Sequence, residues 1–138
     1  SLAINDLYGS IPSQIGLLTK VNALDLNGNN INGSFPSQIG QINSMLPNLL
    51  LYSNSFTGSF PSQIGLLSMI EDLSIYDNQF SGSLPSQLGN LALLDTFDFH
   101  SNQFCSDIPP LSVSAQITST DNSIGTLCCI TTDSCYLI

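Results

Sequence analysis

His100 is the only histidine and Lys20 the only basic side chain among the 138 residues. General acid and base work, nucleophile activation and oxyanion stabilisation therefore have almost no groups to draw on. No G-x-S-x-G turn offers an exposed serine nucleophile either. Glu71 and Asp72 are adjacent carboxylates. Neighbours on an extended segment point to opposite faces, so this pair reads as solvated loop and not as an acid and base that share one substrate. The chain is expected to be non-enzymatic, with no catalytic residue and no cofactor.

Four cysteines, Cys105, Cys128, Cys129 and Cys135, crowd the last third of the chain. A zinc site would call for paired C-x-x-C knuckles or nearby histidines, and the spacing supplies neither, so no metal is expected. Two disulfides suit the pattern, and disulfides place the chain outside the cell or at its surface. Three pairings are possible. Because adjacent cysteines rarely join each other, Cys105 is expected to bond to one of the doublet and Cys135 to the other. Asn32-Gly33-Ser34 is the one N-glycosylation sequon.

Ten acidic residues against one basic residue leave a formal charge of −9. Such a surface repels phosphate backbones, which excludes nucleic acid as a partner. No apolar run reaches the length of a membrane span, and neither a signal segment nor a starting Met is present, so the chain reads as mature or trimmed.

The elements that hold these residues follow from a ladder of asparagines. Asn5, Asn29, Asn54, Asn78 and Asn102 recur at nearly constant intervals, and a period in this range means a solenoid. The frame Leu24-x-Leu26-x-x-Asn29-x-Ile31-x-Gly33-x-Phe35-Pro36 returns around Leu49, Leu51, Asn54, Phe56, Gly58 and Pro61, and again around Leu73, Ile75, Asn78, Phe80, Gly82 and Pro85. Alternating apolar residues make a short strand, and stacked turns pair those strands into a parallel sheet. An inward amide after each strand can satisfy the backbone of its own and neighbouring loops. Gly and Pro then bend the chain towards a returning segment, Pro-Ser-Gln-Ile/Leu-Gly.

This frame resembles the 24-residue, plant-type class of the extracellular leucine-rich repeat family, over residues 1 to about 110. The name denotes a repeat class and not a source organism. The resemblance implies an α/β-type repeat solenoid with little helix: a right-handed superhelix with its parallel sheet on the concave side, closed by a C-terminal disulfide cap. It also implies a non-catalytic recognition scaffold. Residues 1–110 are expected to hold a partial first turn plus four full turns, and residues 111–138 a degraded last turn and the Cys-rich cap. An extra residue within Asn43 to Pro47 should form a local bulge. At the other end Ser1-Leu2 enters partway through a strand, so either residues are missing there or another molecule covers the edge, in which case Leu2, Ile4 and Leu7 would serve head-to-tail assembly.

Outward strand positions of successive turns stack into lanes about 4.8 Å apart. One lane reads Ala3, Asn27, Tyr52, Tyr76 and His100, flanked by Asp72, Asp77 and Asp98. Tyrosines offer flat contact area with a polar tip, suited to sugar rings or to a peptide carrying a basic group. The expected function is recognition or adhesion, with a protein or carbohydrate ligand on this face. The alternative is a structural subunit of a surface layer or fibre that self-associates through the open edge. On the returning side, Ser10, Ser34, Ser59 and Ser83 form a second, nearly identical lane.

Overall fold

Each repeat folds into two short strands and one turn of 3-10 helix. The computed structural model describes residues 1–42, 45–105, 108–111, 116–118, 128–131 and 134–136; the side chains of 117–118 and of the last two segments lie outside the description. Numbered in chain order, the even strands β2 (Leu24–Asp25), β4 (Asn48–Leu50), β6 (Asp72–Ser74), β8 (Thr96–Asp98) and β10 (Gln116–Thr118) form one parallel sheet, with spatial order following the chain. Leu24, Leu49, Leu73 and Phe97 are in register across it. Pairing continues past the strands, where Leu26 N–H donates to Leu50 O at 2.9 Å, Leu51 N–H to Ser74 O at 2.8 Å and Ile75 N–H to Asp98 O at 2.8 Å.

A second parallel sheet was not anticipated from the apolar pattern. It consists of the odd strands β1 (Tyr8–Gly9), β3 (Asn30–Ser34), β5 (Ser55–Gly58), β7 (Gln79–Gly82) and β9 (Gln103–Phe104). Each carries one buried residue, Ile31, Phe56, Phe80 or Phe104 in the four complete turns, between exposed or half-exposed polar ones. A single inward residue is too short a pattern to announce a strand. The remaining strands, β11 (Cys128–Thr131) and β12 (Ser134–Tyr136), make an antiparallel pair with Cys129 opposite Cys135.

The returning segments Ser13–Leu17, Ser37–Gln41, Ser62–Leu66 and Ser86–Asn90 are 3-10 helices, each entered from a proline in extended conformation. Their glycines face the next turn at contact distance. A Cβ placed on Gly65 would lie 2.5 Å from the Gln87 carbonyl oxygen, and one on Gly40 2.8 Å from that of Gln63. These are glycines of space rather than of conformation.

Between the layers runs one continuous apolar strip. Leu49, Leu51, Phe56, Ile64, Ile70, Leu73, Ile75, Phe80, Leu88, Phe97, Phe99 and Phe104 have no more than 0% exposure. Phe35 stacks near Phe60 at 6.1 Å and meets Phe56 edge to face at 5.6 Å, and Phe56 stacks on Phe80 at 5.7 Å. No helix among the described residues is long and apolar enough to cross a membrane. The degraded last turn and the cap expected over 111–138 fall largely outside the described residues, as do Asn43 and Ser44 of the bulge expected within Asn43 to Pro47.

Candidate functional site

The first sheet turns its alternate residues outward, and the chain leaves each strand still extended for two more positions. Leu50, Ser74 and Asp98 stand in register, so Tyr52, Tyr76 and His100 fall above one another two residues later. Tyr52 and Tyr76 stack with ring centroids 4.5 Å apart and planes 7° from parallel, and Tyr76 and His100 repeat the arrangement at 4.5 Å and 10°. The spacing is the sheet's own repeat, since strands pair at about 4.8 Å. Three half-buried rings thus form one column along the outer face.

This geometry changes what the aromatic lane offers. Rings in face-to-face contact leave no room for a ligand between them, so the faces that Tyr52, Tyr76 and His100 turn to one another are closed to stacking. Along the rest of the column the exposed parts are ring edges and phenol hydroxyls. Ring edges are the positive part of the aromatic quadrupole and favour carbonyl and other oxygen acceptors over apolar sugar faces. A peptide backbone supplies such acceptors at every residue.

Carboxylates border the column unevenly. His100 Nδ1 lies 2.5 Å from Asp98 Oδ1. An ionised carboxylate only accepts, so the ring proton sits on Nδ1 in this contact. The His100 backbone N–H also reaches the same oxygen at 3.4 Å. Asp25 holds Asn27 in the same manner, through Asn27 Nδ2 at 2.6 Å, which explains why Asn27 is buried in the lane rather than displayed. Burial, foremost, and then the neighbouring Tyr52, Asp98 and Asp77 push the Tyr76 phenol above its ordinary range. Asp72 sits two lanes from the column, in register with Asn48 and Thr96, where it accepts a 2.9 Å hydrogen bond from Ser74 Oγ.

Asp77 occupies a special backbone position, with φ of 53°. So do Ile4, Ser53 and Ser101, also at positive φ, and Gly28 at 63°. Each precedes a ladder asparagine, and the left-handed residue swings the chain out of the first sheet. The signal lay in Gly28 and Asp77, since Gly and Asp tolerate this region.

The ladder asparagines sit at that corner. Asn78 Oδ1 accepts from Phe56 N–H at 3.0 Å, and Nδ2 donates to Leu51 O, Ile75 O and Tyr76 O at 3.1, 3.2 and 3.1 Å. Asn54 and Asn102 repeat the set. Asn29 does so against the first turn, reaching Leu7 N–H and Leu2 O. Asn5 is exposed and bonds only within its own turn.

The other residues singled out from sequence lie elsewhere. Leu2, Ile4 and Leu7 are exposed at the first turn. Asn32 is exposed on β3 of the second sheet. Cys105 is disulfide-bonded, while the side chains of Cys128, Cys129 and Cys135 are outside the description. Among the described residues no group of His, Cys, Asp and Glu could hold a metal ion. A shallow groove of about 870 Å³ that sequence reasoning did not foresee runs over the returning side, lined among others by Ser10, Ser34, Ser59, Phe35 and Phe60.

The Leucine Rich Repeat family model matches residues 20–42 and 69–91. No curated protein sequence matches the chain. Solved structures do. The crystal structure of a TDR receptor is 33% identical with a TM-score of 0.79, over 86% of this chain and 21% of that one. The plant peptide hormone receptor RGFR1 in complex with RGF2 is 29% identical with a TM-score of 0.81, over 87% of this chain and 20% of that one. The ectodomain of the Arabidopsis receptor kinase HAESA, in complex with an IDA peptide hormone ligand, is 32% identical with a TM-score of 0.72, over 78% of this chain and 18% of that one. The chain thus spans about a fifth of the length of the chains in these structures.

Proposed function

We propose that this chain, a plant-type leucine-rich repeat module of extracellular or cell-surface location, is a non-catalytic recognition unit that takes a peptide or protein ligand on the outer face of its first sheet. The observation that carries the reading is the Tyr52, Tyr76 and His100 column. A stack braced by the sheet loses little conformational freedom on binding, which favours affinity. RGFR1 with RGF2 and HAESA with its peptide hormone support a peptide as the ligand class. The ligand lies along the column with its backbone oxygens towards the ring edges and its cationic groups towards Asp72, Asp77 and Asp98. A protein ligand ranks above a glycan because most ring faces are already engaged with one another.

Selection from a displayed library of extended peptides tests this. Binders should carry net positive charge, weaken with added salt, and lose about tenfold or more in affinity on the double change Tyr52→Ala and Tyr76→Ala. Circular dichroism should show the variant still folded. Equal enrichment on the wild-type and double-mutant proteins would remove the column from consideration.

In a second reading, copies of the chain stack through the first turn by way of Leu2, Ile4 and Leu7, which are exposed there. Sedimentation across a concentration series separates the two. Growth that Leu2→Asp and Ile4→Asp abolish, and that the tyrosine changes leave intact, belongs to assembly.

A further inference from the structure

We propose that Asn32 carries an N-linked oligosaccharide, which places a glycan on the second sheet and leaves the first sheet bare. The inference rests on the sequon, its setting and the extracellular location, and stands apart from the ligand reading above. Three observations converge. Asn32-Gly33-Ser34 is the one asparagine of the chain with a hydroxyl two residues on. Both Asn32 and Ser34 are exposed on β3. Neither side chain takes part in any hydrogen bond among the described residues, whereas Asn29, three residues earlier, commits its whole amide to the fold.

The surroundings leave room for a sugar. Across the sheet Asn32 stands beside Ser55 of β5, and Ser34 beside Thr57, all short polar side chains. Gly33, at φ of 76°, brings only the Ser10 side chain near, at 3.5 Å from where its Cβ would be. In the attachment reaction the Asn32 Nδ2 attacks the anomeric carbon of an oligosaccharide carried on a lipid diphosphate. A carbon–nitrogen bond forms, the bond from that carbon to the phosphate oxygen breaks, the lipid diphosphate leaves, and one amide proton is lost. The Ser34 hydroxyl is the group that marks the asparagine for transfer.

The consequence is a division of the surface. Ser34 lines the groove on the returning side, two residues from the attachment point, so the glycan shelters this groove. A bulky, hydrated chain there also adds solubility to a protein in which only 8% of all residues are charged.

The test is secretion of the whole chain from a eukaryotic host, followed by intact mass measurement before and after an N-glycosidase. A secreted glycoprotein of the host in the same medium serves as the internal control. Wild type and Ser34→Thr should lose mass on treatment, because threonine also completes the sequon. Asn32→Gln and Ser34→Ala should not. An unchanged mass for wild type and Ser34→Thr, in a sample whose host glycoprotein is trimmed, overturns the proposal. So does a mass loss that persists in Asn32→Gln.

Discussion

Asn54 and Asn78 each place three amide contacts on carbonyls and one on a backbone N–H, reaching the preceding turn with both ends of the side chain. Alanine at either position leaves those groups without their side-chain partner, in a corner that is buried at Asn78 and half-buried at Asn54. The expected cost is about 1–3 kcal/mol per substitution. Asn5, exposed and bonded only to Leu2 O and Ala3 O, should cost less than about 1 kcal/mol on change to alanine, as surface residues do. Urea titrations of the three variants check the contrast. Equal midpoints for all three would mean that the ladder carries no special share of stability.

At the scale of the element, the 3-10 helices set how closely turns approach. Gly65 is the sharpest case, because a Cβ would meet both the Gln87 carbonyl oxygen at 2.5 Å and the Gln87 Cβ at 2.7 Å. Backbone cannot rotate away as a side-chain tip can. Gly65→Ala must therefore push the segments Ser62–Leu66 and Ser86–Asn90 apart, straining the packing of Ile64 and Leu88 beneath them. Overpacking of this kind costs about 1–3 kcal/mol. Thermal unfolding of Gly65→Ala beside Ser62→Ala, an exposed change in the same segment, measures it; a melting point unmoved by the glycine change would show that the turns have slack.

At the scale of the molecule, contacts run almost entirely between neighbouring turns, so stability sums over repeats and their interfaces. An end can then open while the middle holds. Cys105 is disulfide-bonded just after the last regular strand pair, and its bond is expected to tie the C-terminal cysteines to the stack. Reduction should raise hydrogen exchange first at β10 and then at β8, with β4 and β6 protected longest. Simultaneous loss of protection along both sheets would mean that the solenoid unfolds as one unit and that the bond guards no separate end.

Much of this was legible in the residues alone. Asparagines in phase with apolar residues, glycines and prolines leave one way to bury the apolar set, by stacking like turns, and they name the inward side of every first-sheet strand. The exposed lane of Tyr52, Tyr76 and His100 follows from the same alternation. What the pattern could not carry were features made by one turn acting on the next. The second sheet has at most one buried residue per strand, too little for a periodic signal, and exists because stacked turns bring extended segments alongside each other. Gly40 and Gly65 stand in the sequence only as members of the recurring Pro-Ser-Gln-Ile-Gly segment, and only the distance to the next carbonyl shows that they are required for close approach. The rings look like open contact area in sequence, but parallel strands set their spacing at 4.5 Å, so they turn their faces to each other and their edges to solvent. Register and repeat distance are properties of the assembled sheet, and they decided which surface of each aromatic side chain remains free.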